Sequence, residues 1–215
     1  MVTVLKNAGC EVEYNPNQTC CGQPALNAGY WDEALDVAKK FVEDFTNKKR
    51  IVCPSASCVG FVKNHYKKLL KGEFDKLVLN NLSNTIYEFS DFLCNHCDIN
   101  GIAPRLQGKA MYHDSCSALR ECNIKASPRK LLSRVEGLEI VENPNTETCC
   151  GFGGSFAAKF EPISVAMAEQ KVEDAIKLNA DYIISTDLSC LMHLNGYIQK
   201  NNISIQTMHL ADVLI

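Results

Sequence analysis

No apolar run in the 215 residues reaches the roughly 18–20 needed to cross a bilayer, which argues against a transmembrane helix. The first residues carry no apolar stretch of the secretory kind, so the sequence predicts a soluble cytoplasmic protein. Neither sign of charge dominates. Lys and Arg number 22 against 25 Asp and Glu, a formal net charge of −3, which leaves no electrostatic footprint for nucleic acid. A G-x-G-x-x-G loop after a strand is also missing. Gly151, Gly153 and Gly154 are spaced differently, and no flavin or nicotinamide motif is found.

What the chain has in excess is cysteine, twelve in all. With no secretory signal and an ample apolar fraction, so many thiols read as metal or redox ligands rather than disulfides. They are arranged around Thr148-Cys149-Cys150-Gly151-Phe152-Gly153-Gly154, which has an earlier twin in Thr19-Cys20-Cys21-Gly22-Gln23-Pro24. Adjacent thiolates do not suit a single tetrahedral zinc, which draws its ligands from separated turns. A multi-iron cluster presents several irons and takes both sulfurs. Gly22 and Gly151 let the backbone approach a bulky inorganic core, and a following helix N-terminus favours anionic thiolate. A vicinal disulfide or two chance core cysteines would account for one copy. The duplication, with further cysteines at matched distances, argues against both.

The periodicity predicts a helix over 2–8 ended by Gly9, a strand over 10–14, a turn at Asn15-Pro16-Asn17 and a helix over 31–49. A buried-type strand at 50–53 runs into the loop before Cys58, followed by helices over 59–71 and 85–93. The second half begins with a strand at 109–112 leading to His113-Asp114-Ser115-Cys116. A helix over 127–135 ended by Gly137, a strand at 138–141 and the turn Asn143-Pro144-Asn145 come next. After the second cysteine pair lie a helix over 162–178, a strand at 182–185 running into Asp187-Leu188-Ser189-Cys190, a helix, a strand at 203–206 and a short helix over 209–214. The halves match each other: Val42-Glu43-Asp44 with Val172-Glu173-Asp174, Cys58 with Cys190, and Tyr87–Leu93 with Met208–Leu214.

Strands alternating with helices predict an α/β fold of two tandem pseudo-symmetric repeats, residues 1–98 and 109–215, with mainly parallel sheets flanked by helices. Ligands of such sheets collect beyond the carboxyl ends of the strands, so Cys116, Cys149, Cys150 and Cys190 are expected to converge. The first repeat is expected to be incomplete. Asn15 and Asn143 lie 128 residues apart, which places the counterpart of Cys116 and its strand before Met1.

The cysteine pattern, with Gly9-Cys10-Glu11-Val12-Glu13-Tyr14, Cys53-Pro54-Ser55-Ala56-Ser57-Cys58 and Tyr112-His113-Asp114-Ser115-Cys116, resembles the CCG-domain (cysteine-rich domain) iron–sulfur proteins. That family includes subunits of heterodisulfide reductase and of glycolate oxidase, and the likeness is strongest to members acting in L-lactate utilization. The resemblance implies an iron–sulfur subunit that passes electrons while L-lactate is oxidised to pyruvate. It implies two partner lactate-utilization proteins, one of them a ferredoxin-like iron–sulfur protein, and [4Fe–4S] clusters of cubane or non-cubane form. It also implies Cys116, Cys149, Cys150 and Cys190 as the ligands of one site. Cys20, Cys21 and Cys58, with or without Cys53, would serve the other, whose opening ligand is missing. The alternatives are a glycolate oxidase or heterodisulfide-reductase-like complex, or a metal-binding module without redox turnover.

The remaining candidates divide between chemistry and packing. Cys53 aligns with Ser185 and is either a fifth ligand or a buried strand residue. His113 either donates a hydrogen bond to cluster sulfur or holds its loop. Asp187 reads as a loop cap, Cys10 as core and Cys122 as a loop thiol. Cys94-Asn95-His96-Cys97 has zinc-like spacing but no second pair, so an exposed helix end is expected.

Overall fold

Short runs of β-branched and aromatic residues become strands here because each finds a parallel neighbour, and the amphipathic stretches between them cover the sheets. The computed structural model describes residues 1–215. The first half contains α1 (Val2–Asn7), α2 (Gln23–Ala28), α3 (Trp31–Phe45), β1 (Ile51–Cys53), α4 (Ala56–Leu69), α5 (Lys76–Thr85), β2 (Ile86–Glu88) and α6 (Phe89–His96). The second half contains β3 (Arg105–Tyr112), α7 (Cys116–Arg120), α8 (Ala126–Leu132), β4 (Glu136–Val141) and α9 (Ser155–Lys159). It continues with α10 (Glu161–Lys177), β5 (Tyr182–Ser185), α11 (Leu188–Lys200), β6 (Gln206–His209) and α12 (Leu210–Val213). No helix is long and apolar enough to cross a membrane.

All strand pairs are parallel. β1 and β2 form a two-stranded sheet, and the second sheet has the order β4-β3-β5-β6. By the internal sequence match, β1 and β2 correspond to β5 and β6, so the fold is α/β with two related halves. Each half has an apolar core of its own, around Phe41, Phe61 and Tyr66 in the first and Val172, Ile183 and Leu194 in the second, and a third core is shared. One apolar cluster joins Val4 and Leu5 of α1 and Phe89 and Leu93 of α6 to Tyr112, Leu131, Ile184 and Leu210 of the second half.

Several local expectations are corrected. Residues 10–14 form no strand. Their counterpart β4 pairs only with β3, and the first half has no β3 equivalent to pair with. The helix expected over 85–93 is split: Ile86–Glu88 pairs with β1 as β2, and the helix proper starts at Phe89. The strand expected at 203–206 lies at Gln206–His209, in register with Tyr182–Ser185. Gly137 does not end a helix but sits inside β4 with φ +86°. The short helices α2, α7 and α9 carry no apolar periodicity to signal them, whereas α5, with Leu79 and Leu82 on one buried face, does and is missed.

Candidate metal centres

The two Cys-Cys-Gly turns are built alike. Gly22 and Gly151 both adopt φ +93°, a left-handed conformation open to glycine. The turn brings each glycine against a helix backbone. A Cβ on Gly22 would meet the Ala34 carbonyl oxygen at 3.0 Å, and one on Gly151 would meet that of Ser164 at 2.6 Å. In both copies the glycine N–H reaches back to the first thiol, Gly22 to Cys20 Sγ and Gly151 to Cys149 Sγ, each at 3.4 Å. The second turn has an extra brace: Ser164 Oγ donates to the Gly151 carbonyl at 2.8 Å and lies 3.1 Å from His193 Nε2.

Cys58 and Cys190 were expected in loops ahead of their helices. They lie instead in the first turns of α4 and α11, and Cys116 opens α7, placing all three thiols at positively polarised helix starts. The thiols gather in two sets, visible in how they perturb one another. Cys149 is held far below an ordinary thiol by Cys116 and Cys150, with help from the Gly151 N–H. Cys190 is lowered to about 6, first by Cys150 and then by His113 acting against burial. Cys116 and Cys150 are pushed up by the same contacts, by Cys149 first and then by burial or Cys190. In the first half Cys20 is lowered to about 6 by Cys21, and Cys58 to about 3 by Cys21 and Cys53. Cys21 and Cys53 rise in exchange. Each set thus links four thiols by neighbour-to-neighbour contacts, and Cys53 stands within the first set beside Cys58.

His113, Cys150 and Cys190 form the tightest group, with ligand atoms all within 4.8 Å of one another. His113 is buried, and neither ring nitrogen has a hydrogen-bond partner in the protein. Buried imidazoles are seldom left so, and a sulfur-rich group in the pocket would supply the partner. Lys171 braces the turn that leads into Cys149 and Cys150. It is 1 % exposed and its ammonium donates to the carbonyls of Asn145, in a short contact, and of Thr146 at 3.0 Å. Burial lowers its pKa, while Asp174, Asp114 and both paired cysteines oppose the shift.

Asp187 is more than a loop cap. It makes no side-chain cap to α11. Its buried carboxylate accepts from Ser55 Oγ at 2.6 Å, Ser57 Oγ at 3.1 Å and Ser115 Oγ at 2.5 Å. Those serines flank Cys53, Cys58 and Cys116, so one carboxylate ties the cysteine loops of both halves together. His209 adds a second tie: its Nε2–H lies 2.9 Å from the Pro54 carbonyl and 3.1 Å from that of Thr186. Sequence reasoning missed the roles of Asp187 and Lys171. A signal existed for both, since Asp187 aligns with Ser55 three residues before the cysteine, and Lys171 occupies the place of apolar Phe41.

The other thiols stand apart. Cys94 Sγ points to the Ser127 carbonyl, while Cys97 Sγ faces Cys10 Sγ at 3.5 Å. The C-x-x-C sulfurs therefore diverge and do not form a zinc pair, and both are half-buried rather than exposed. Cys10 packs at the edge of the shared core, and Cys122 Sγ contacts the Ala56 carbonyl under α4. A surface cavity of about 540 Å³ lies between the end of α11 and β6, at the far end of α11 from Cys190.

Two four-thiol sets on parallel α/β halves define a cysteine-based metal or iron–sulfur protein. The chain belongs to the Cysteine-rich domain (CCG) family, which matches residues 1–63 and 110–195. It is 40% identical to lactate utilization protein A 2 of Bacillus cereus, over 100% of this chain and 89% of the relative. It is 44% identical to lactate utilization protein A of Halalkalibacterium halodurans, over 99% of this chain and 87% of the relative.

Proposed function

We propose that this chain is the iron–sulfur electron carrier of a multi-protein system that oxidises L-lactate to pyruvate. Cys116, Cys149, Cys150 and Cys190 hold one cluster, and Cys20, Cys21, Cys53 and Cys58 hold the other, in units spanning residues 1–98 and 109–215. The observation that carries this reading is the duplicated gathering of four thiols, in a chain 40–44% identical to relatives named lactate utilization protein A. Four thiolates per set match the ligand demand of a [4Fe–4S] cluster, which supplies one-electron chemistry when bound. The chain's residues tune and protect that chemistry. The Gly22 and Gly151 N–H groups donate to ligand sulfur, and His113 offers a ring N–H to the second site.

Lactate oxidation releases two electrons and two protons, and no hydride-accepting motif is present in the sequence. The chain is therefore expected to work with two partner proteins, one of them ferredoxin-like, and not to oxidise lactate alone. Purified chain mixed with L-lactate and an artificial electron acceptor should give no turnover. A gene deletion should abolish growth on L-lactate and leave growth on pyruvate intact. Clear turnover by the chain alone contradicts the carrier reading. Growth lost on glycolate but kept on L-lactate moves the substrate to glycolate.

A further inference from the structure

The two thiol sets sit in matching folds but in unlike electrostatic surroundings. Against the turn that leads into Cys149 and Cys150 sits Lys171, the one lysine among the buried residues. Its hydrogen bonds go to two backbone carbonyls. Of the carboxylates that bear on it, Asp174 comes first and has a counterpart in Asp44 of the first half, whereas Asp114 is already clamped by Arg129 at 2.7 Å. Behind Cys20 and Cys21 the matching position holds Phe41, part of an uncharged layer with Tyr66, whose hydroxyl donates to the Cys21 carbonyl at 2.7 Å. His113 likewise bears on the second set, beside Cys150 and Cys190. The buried carboxylate of Asp187 acts on both sets through Cys53 and Cys190, and so does not distinguish them.

Adding an electron to a site adds negative charge, and a buried cation nearby favours that state more strongly than water-screened charge does. We infer that Lys171 makes the second site the stronger electron acceptor, so that a single electron on this chain resides at Cys116/Cys149/Cys150/Cys190 and electrons run from the first site to the second. The transfer is one electron, with one site oxidised and the other reduced, and no bond or proton changes place. This rests on the reading that both sets hold clusters.

The test is a potentiometric titration followed by electron paramagnetic resonance, on anaerobically prepared full-length chain with dithionite as reductant. Variants Cys20→Ser/Cys21→Ser and Cys149→Ser/Cys150→Ser, each leaving one site intact, assign the signals. The native chain should show the second site at the higher potential. Lys171→Met should shift the second site's potential down and leave the first unmoved, and Lys171→Arg should restore the native order. A lysine that only tethers the Asn143–Thr148 turn would change how much cluster is loaded but not the potential of the loaded fraction. A first site at or above the second in the native chain, or an unchanged second-site potential in Lys171→Met, overturns the inference. Should Lys171→Met not fold, the native order alone decides. A chain that binds no iron–sulfur cluster overturns the carrier reading and this inference together.

Discussion

Gly22 and Gly151 share φ +93° but differ in how closely the facing carbonyl approaches, 3.0 Å against 2.6 Å. Any side chain there faces left-handed strain of about 1–3 kcal/mol. Gly151→Ala adds a collision with backbone, which cannot yield as a flexible side chain would. Gly151→Ala should therefore lower thermal stability more than Gly22→Ala, and each should reduce iron loading mainly in its own half. Equal melting temperatures would show that the carbonyl contact does not matter. At Glu88, burial pushes the carboxyl up to about 7 against the hydrogen bonds it accepts from Ser90 and Asp91. The unfolded chain loses this proton near 4.5, so between about 4.5 and 7 the folded state binds more protons and stability falls as pH rises. The loss amounts to about 3 kcal/mol at most, complete above the folded value. Denaturant unfolding of Glu88→Gln against the parent, from pH 5 to 8, should show a flatter profile in the variant. Parallel profiles would remove Glu88 from the pH dependence.

Among the elements, the loop tie through Asp187 makes the clearest prediction. Asp187→Ala removes the acceptor shared by Ser55, Ser57 and Ser115; the two half-buried serines keep each other at 2.8 Å, while the buried Ser115 hydroxyl is orphaned at a cost of about 1–3 kcal/mol. Asp187 belongs to the second half, yet its loss should also depress metal loading at Cys20/Cys21/Cys53/Cys58. Loading measured on a Cys149→Ser/Cys150→Ser background isolates that effect, and an unchanged first site would contradict the tie. Elements were legible where pattern and partner agree. β1 and β5, with α3, α4, α10 and α11, were read from apolar runs and helical periodicity. Ile86–Glu88 was not, because three residues of strand are decided by a neighbour, here β1, and not by local propensity. Residues 10–14 fail in the opposite sense, having strand composition and no strand to pair with.

For the whole molecule, the duplicated cysteine pair and the strand-to-cysteine spacing made both groups of cysteines legible in the sequence, apart from Cys53, which it left open. The residues that connect and distinguish the sets were not. Asp187 meets its serines across 72 to 132 positions of sequence, a proximity that only the packing of the halves creates. Lys171 looks like an ordinary surface lysine until α10 buries it against the Asn143–Thr148 turn. The central claim is that one chain holds two separate clusters, each on its own four thiols. Iron and acid-labile sulfide per chain, measured after anaerobic purification, test it most directly. The account predicts two clusters in the native chain, one in Cys20→Ser/Cys21→Ser and one in Cys149→Ser/Cys150→Ser. An iron content unaffected by either pair of substitutions, or a native chain carrying zinc with no sulfide, would contradict it.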